Sequence, residues 1–288
     1  MSFFERLQSI PRITIYVLVV IVLSIPLIFP ISLPLQVVPM TQAVYDAIEA
    51  LEPGSIFMLS TDWEASTEAE SGPQTEAIVR HVLARDLKLI IVGLWPQGNS
   101  ATQQIVERIA SEMGKTYGVD WVNLGYKPGG EVVLASLAAN LRELYSSDVR
   151  GTPLDQLEIC KGLTSAKDVD LVCSVSWGDP GHLTWVKMVQ TQVGVPVVAA
   201  VTAVSLPGCA PYLQSGQLLG VVGGLGGAAQ YEKLVGYAGK AAAGMGAQSF
   251  RPHIGSNPGC AGQHRISCHQ KVEGGLNYEI GNHCCSPS

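Results

Sequence analysis

The chain has 288 residues, 47% of them hydrophobic and only 15% charged, with a net charge of −6. No Lys/Arg cluster is present, so a nucleic-acid partner, which needs a basic face, is excluded. The length allows one domain with additions or two small domains.

Residues 1–12 read as a cytoplasmic N-terminus. Ile13 to Leu33, ITIYVLVVIVLSIPLIFPISL, carries no charge and is long enough to cross a bilayer as a helix. A cleaved signal peptide would have a shorter apolar core and a small-residue cleavage site, whereas Pro26, Pro30 and Pro34 close this segment. Arg6 and Arg12 precede it, and no Lys or Arg follows until Arg80. Basic residues stay on the cytoplasmic side, so the body is expected outside the cytoplasm, tethered to the cell membrane.

From 37 to 247 short apolar runs alternate with amphipathic stretches. SIFMLS (55–60), LKLIIVGL (87–94), VDWVNL (119–124), VDLVCSV (169–175) and VPVVAAVTA (195–203) read as buried strands, with QLLGVV (217–222) a weaker sixth. Helices are expected at TEAIVRHVLARD, SATQQIVERIASEM with Ser100 as N-cap, EVVLASLAANLREL, HLTWVKMVQTQ and AAQYEKLVGYAGKAAA. Tyr145 to Lys167 is the least regular stretch and reads as a surface excursion. The pattern predicts a mostly parallel sheet flanked by helices, a Rossmann-like three-layer α/β domain. Cys160, Cys173 and Cys209 sit in apolar settings and read as buried small hydrophobes rather than a disulfide framework.

In an open parallel sheet the ligand crevice lies beyond the carboxyl ends of the strands. The residues there nominate a site of Asp62, Trp95, Lys127, Gly129, Gly130 and Asp179. In YKPGGE (126–131) two glycines open a helix beside a lysine, so backbone N–H groups and a cation can converge on a small anionic ligand. A tight strand-to-helix turn with a surface lysine is the alternative, and the P-loop spacing is absent. GLGGAA (224–229) comes last in the domain and lacks the acidic partner of a dinucleotide fold, so close helix–sheet packing is the expected role and no cofactor is implied. Trp63, Trp95 and Trp177 suit an aromatic-lined pocket or core packing. His81 is expected to pack within its helix. A hydrolase or transferase would draw on Asp62, Asp179 or His182, with Lys127 as anion clamp, gathered around one cavity.

The tail, 251–288, holds Cys260, His264, Cys268, His269, Cys284 and Cys285. Their spacing fits no common zinc module well, although a zinc-binding tail is one reading. Read one base later, the codons permitted by 251–272 spell AHILVLILVVLANIAYLAIRR and a stop. Glu273-Gly274-Gly275 can then encode a ribosome-binding sequence, and Tyr278-Glu279 a start. The chain after about Phe250 is therefore expected to be out of frame, replacing a second transmembrane helix.

VDWVNLGYKPGGEVVLA, VPVVAAVTAV and PYLQSGQLLGVVGGLGGAAQYEKLVG resemble a family of prokaryotic membrane-anchored α/β proteins, across most of 37–247. The resemblance implies the two-helix architecture and carries over no catalytic residue. The expected function is a non-enzymatic, membrane-tethered domain that binds a small ligand or a membrane-protein partner, as an accessory subunit of a membrane assembly.

Overall fold

The computed structural model describes residues 12–28 and 36–249. All six expected strands form: β1 (Ile56–Asp62), β2 (Lys88–Gly93), β3 (Trp121–Tyr126), β4 (Leu171–Ser176), β5 (Val197–Val201) and β6 (Val221–Gly223). They make one sheet in the order β3-β2-β1-β4-β5-β6, every pairing parallel. Parallel neighbours need a crossover, and the amphipathic stretches supply it as helices on both faces, giving the Rossmann-like arrangement. The weak sixth run forms the shortest strand, of three residues.

The helices are α1 (Arg12–Ile28), α2 (Pro39–Glu49), α3 (Glu68–Ala84), α4 (Pro96–Glu112) and α5 (Gly130–Ala139). They continue with α6 (His182–Trp185, extended by a π-helical Val186–Gln190 and by Thr191–Val193), α7 (Gly224–Val235) and α8 (Lys240–Ser249). Alternate strand residues feed opposite layers, as period-two side chains must. Phe57, Leu59, Leu89, Ile91, Cys173 and Val198 pack under α2, α3, α4 and α7. Met58, Ile90, Val122, Val172, Val197 and Ala199 pack under α5 and α6. Cys160, Cys173 and Cys209 are free thiols within these layers, as expected.

Several expectations need correction. The helix expected to begin at Ser100 starts at Pro96, whose fixed φ suits the first helical position, and Ser100 Oγ donates to Pro96 O at 3.1 Å. The last expected helix is two, because Gly236 ends α7 with a left-handed φ of 74°. Tyr145 to Lys167 is irregular but is not a surface excursion. Leu154, Leu157, Ile159, Cys160 and Leu163 bury beside α5, held by Arg142, which donates to Leu163 O (2.8 Å) and Cys160 O (2.7 Å). The helix α2 was not anticipated.

Of the expected transmembrane span over 13–33 the described part is helical: α1 covers Arg12–Ile28, 17 residues, about 26 Å at 1.5 Å per residue, and residues 29–33 lie outside the described residues. Among the described residues no helix is long and apolar enough to cross a membrane. Residues 1–11, 29–35 and 250–288, with the readings of the N-terminus and the tail, lie outside the described residues.

Close backbone approach places α4 against the end of β1. A methyl group on Gly98 would lie 2.7 Å from Trp63 O and 2.9 Å from Thr61 O, both rigid backbone atoms. Gly98→Ala should therefore destabilise the domain by about 1–3 kcal/mol through overpacking. Gly208→Ala, where an added methyl meets nothing within 4 Å, should stay within about 0.5 kcal/mol in the same urea titration.

Candidate functional site

The strand order reverses at β1, which has β2 on one side and β4 on the other. Side chains at the carboxyl ends of these strands line the switch point, where open α/β sheets take ligands. Asp62, the last residue of β1, is fully buried there. Ser60 Oγ lies 2.7 and 2.8 Å from its two oxygens. The Leu94 N–H donates at 3.0 Å, Ser174 Oγ at 2.9 Å and Trp185 Nε1 at 3.0 Å. These donors are neutral. Burial outweighs them and pushes the Asp62 pKa up to about 6. Asp62 is thus a buried junction of β1, β2, β4 and α6, and it does not face the crevice as its sequence position suggested.

The other nominated residues lie around this junction. Trp95 is half-buried, donates from Nε1 to Pro180 O at 3.0 Å, and meets the Trp177 ring edge-on at 5.8 Å. Gly129 (φ 134°) and Gly130 (φ 50°) make the turn into α5, and a methyl on Gly130 would lie 3.4 Å from Pro180 Cβ. Trp95, Gly130 and the Gly178–Gly181 loop therefore close on one another. Lys127 sits over the Tyr145 ring, 5.4 Å from its centroid. Exposed Asp179 accepts from Thr184 Oγ1 at 2.8 Å and lines a groove of about 350 Å³ with Glu131 and Lys187, which form an ion pair at 2.6 Å. Trp63 belongs to the core.

His182 is buried, and its Nδ1 shares a hydrogen bond of 2.7 Å with Ser176 Oγ. Burial pushes its pKa down to about 4 against the pull of Asp179, so the ring is neutral at pH 7. The acid/base set of an enzyme is therefore divided: Asp62 bonds Ser60, Ser174 and Trp185, Asp179 bonds Thr184, His182 bonds Ser176, and Lys127 lies on Tyr145. His81 packs as expected, between Tyr231 OH (2.7 Å) and Glu49 Oε1 (2.9 Å). Among the described residues no group of three His, Cys, Asp or Glu side chains could hold a metal.

A second cavity, of about 410 Å³, opens between the start of α3 and the carboxyl ends of β4 and β5. Ser66, Thr67, Ala69, Glu70, Trp177 and Thr202 line it. The Trp177 Nε1 is buried and has no hydrogen-bond partner among the described residues. Such a donor costs about 1–3 kcal/mol unless something supplies an acceptor. Gln74 of α3 ties that helix to β5, β6 and the start of α7: its amide nitrogen lies 2.9, 3.3 and 3.1 Å from the carbonyls of Val201, Val222 and Gly224. Sequence reasoning missed Gln74, Ser60, Ser174 and Trp185. The available signal was polar residues inside otherwise apolar runs.

Comparison with protein-family models, with curated proteins and with solved structures gave no match.

Asp62 and His182 make opposite contributions to stability over the same pH range. Between about pH 4 and 6 the folded state keeps a proton on Asp62 that the unfolded chain has lost, so the Asp62 contribution falls as pH rises. Between about pH 4 and 6.5 the unfolded chain carries a proton on His182 that the folded state lacks, so the His182 contribution grows. From pH 4 to 7, Asp62→Asn should gain about 3 kcal/mol relative to the parent, and His182→Gln should lose about 3 kcal/mol. Urea unfolding at each pH measures both, and parallel curves for the variants and the parent would refute the assignment.

Proposed function

We propose that this chain is a membrane-tethered, non-enzymatic α/β domain that holds a small ligand or a partner protein at its switch-point crevice, as an accessory subunit of a membrane assembly. The observation that carries the tether is α1. Ile13, Ile15, Tyr16, Val17, Leu18, Val20 and Ile21 are all between 47% and 74% exposed. A helical stretch as apolar and as exposed as 13–21 belongs in lipid or against an apolar partner. The sequence stays apolar through Leu33, which extends the stretch to the length of a span. Arg6 and Arg12 ahead of it support a body outside the cytoplasm.

The crevice reading rests on the cavity beside Trp177, with its unpartnered indole N–H. An anionic group on the ligand would have to reach Lys127 and the Gly129–Gly130 turn, which lie outside the lining of that cavity.

Replacing Val22 and Leu23 with arginine should move most of the chain from the membrane pellet to the supernatant, since each arginine costs about 2.5–3.5 kcal/mol near the centre of a span. Retention of the double variant in carbonate-washed membranes would defeat the tether. In a thermal-shift screen of the full chain in detergent against anions, amino acids and nucleotides, a ligand at a hundred times its Kd should raise Tm by about 5–10 °C. No rise with any class would leave the partner protein as the occupant.

A further inference from the structure

The course of α8 shows which edge of the domain lies beside α1. Glu232, near the end of α7, accepts from the N–H groups of Ala241 and Ala242 at 2.9 Å each, and so fixes the start of α8. Further along, a methyl on Gly244 would lie 3.0 Å from Leu225, and one on Gly226 would lie 3.9 Å from Met245. Leu225 and Gly226 open α7 directly after the carboxyl end of β6. Gly244 also shares a cavity wall with Ala65 and Glu68, at the start of α3. Thus α8 runs back along α7 towards the carboxyl edge of the sheet, and α1 packs against α8.

The apolar surface of the folded domain has the same polarity. Outside α1, the exposed large hydrophobic residues among the described residues are Tyr126 (44%), Val132 (74%), Val149 (46%), Val204 (90%) and Leu219 (46%). Tyr126 ends β3, Val132 lies in the first turn of α5, and Val204 follows β5, so all three sit at the carboxyl edge. Val149 lies beside β3, with its N–H on Asn123 O at 3.0 Å. Leu219 precedes β6 at the opposite edge. Isolated exposed apolar residues are ordinary. Here they share the edge towards which α8 runs, beside an apolar helix. Glu64, Glu68, Glu70, Glu131 and Asp179 outnumber Lys127 and Lys187 on that edge, which disfavours anionic lipid.

Building on the tether reading above, we propose that the carboxyl edge of the sheet rests on the surface of the bilayer that takes α1. Val132 and Val204 insert among zwitterionic headgroups, and the switch-point crevice opens towards the lipid. The partner of this surface is the membrane itself.

The test uses the full chain with Cys260, Cys268, Cys284 and Cys285 replaced by serine, carrying Val132→Cys, Val204→Cys or Leu219→Cys labelled with a fluorophore. Cys160, Cys173 and Cys209 are buried and remain in place. Each variant is reconstituted into phosphatidylcholine vesicles containing brominated acyl chains and floated on a density gradient. Quenching at 132 and 204 should exceed that at 219 at least twofold, and replacing a third of the lipid with phosphatidylglycerol should not increase it. Co-flotation with equal quenching at all three positions, or with the strongest quenching at 219, overturns the proposed edge and leaves the tether standing. Quenching that grows with phosphatidylglycerol overturns the apolar mode of contact. Failure to float overturns the tether, and the proposed edge with it.

Discussion

A fully buried carboxylate with neutral partners holds the centre of this fold together. Asp62 takes hydrogen bonds from β1, from the segment after β2, from β4 and from α6. Displacing any one of these elements leaves a lone pair of a desolvated acid unpaired, which costs about 1–3 kcal/mol or more when the group is charged. The centre of the switch point is therefore filled by its own structure, and the open cavity lies beside it, between the start of α3 and the carboxyl ends of β4 and β5.

The two edges of the sheet differ in kind. At the amino edge charges are paired: Lys88 with Asp120, Lys115 with Asp86, and Arg85 with Glu49. The Asp170 carboxylate accepts the Ile56 N–H at 2.7 Å at the same end. Exposed pairs of this sort add little stability, but they make a hydrated face. The carboxyl edge carries charges as well, among them the Glu131–Lys187 pair, but it also bears the exposed side chains of Tyr126, Val132 and Val204.

The fold was legible where burial is two-sided. Strands such as LKLIIVGL read clearly because both faces are covered and no polar alternation interrupts them. Element boundaries were less legible. Pro96 could have been read as a helix start, but the polar stretch after it drew the boundary to Ser100. The irregular run from Tyr145 to Lys167 looked like surface because it lacks periodicity, yet Leu154, Leu157 and Leu163 lie in the core through single contacts that no period announces. At the site, Trp95 and Gly130 both meet Pro180, whereas Asp62 is sealed inside the sheet. Whether a strand-end aspartate faces outwards depends on partners 112 and 123 positions away, Ser174 and Trp185. Local pattern holds no information about them. The unpaired indole N–H of Trp177 is likewise a property of packing alone.

Those long separations also bear on how the polypeptide matures. When the chain has been made only as far as β3, the Asp62 side chain has Ser60 and the Leu94 N–H near it, and nothing yet from β4 or α6. The first three strands are thus poorly suited to persist as an autonomous subdomain, and the junction closes only when the later half docks. Loop-closure entropy is met before the contacts that offset it are formed. A partly synthesised molecule would hold its central acid in water until β4 and α6 arrive with Ser174 and Trp185.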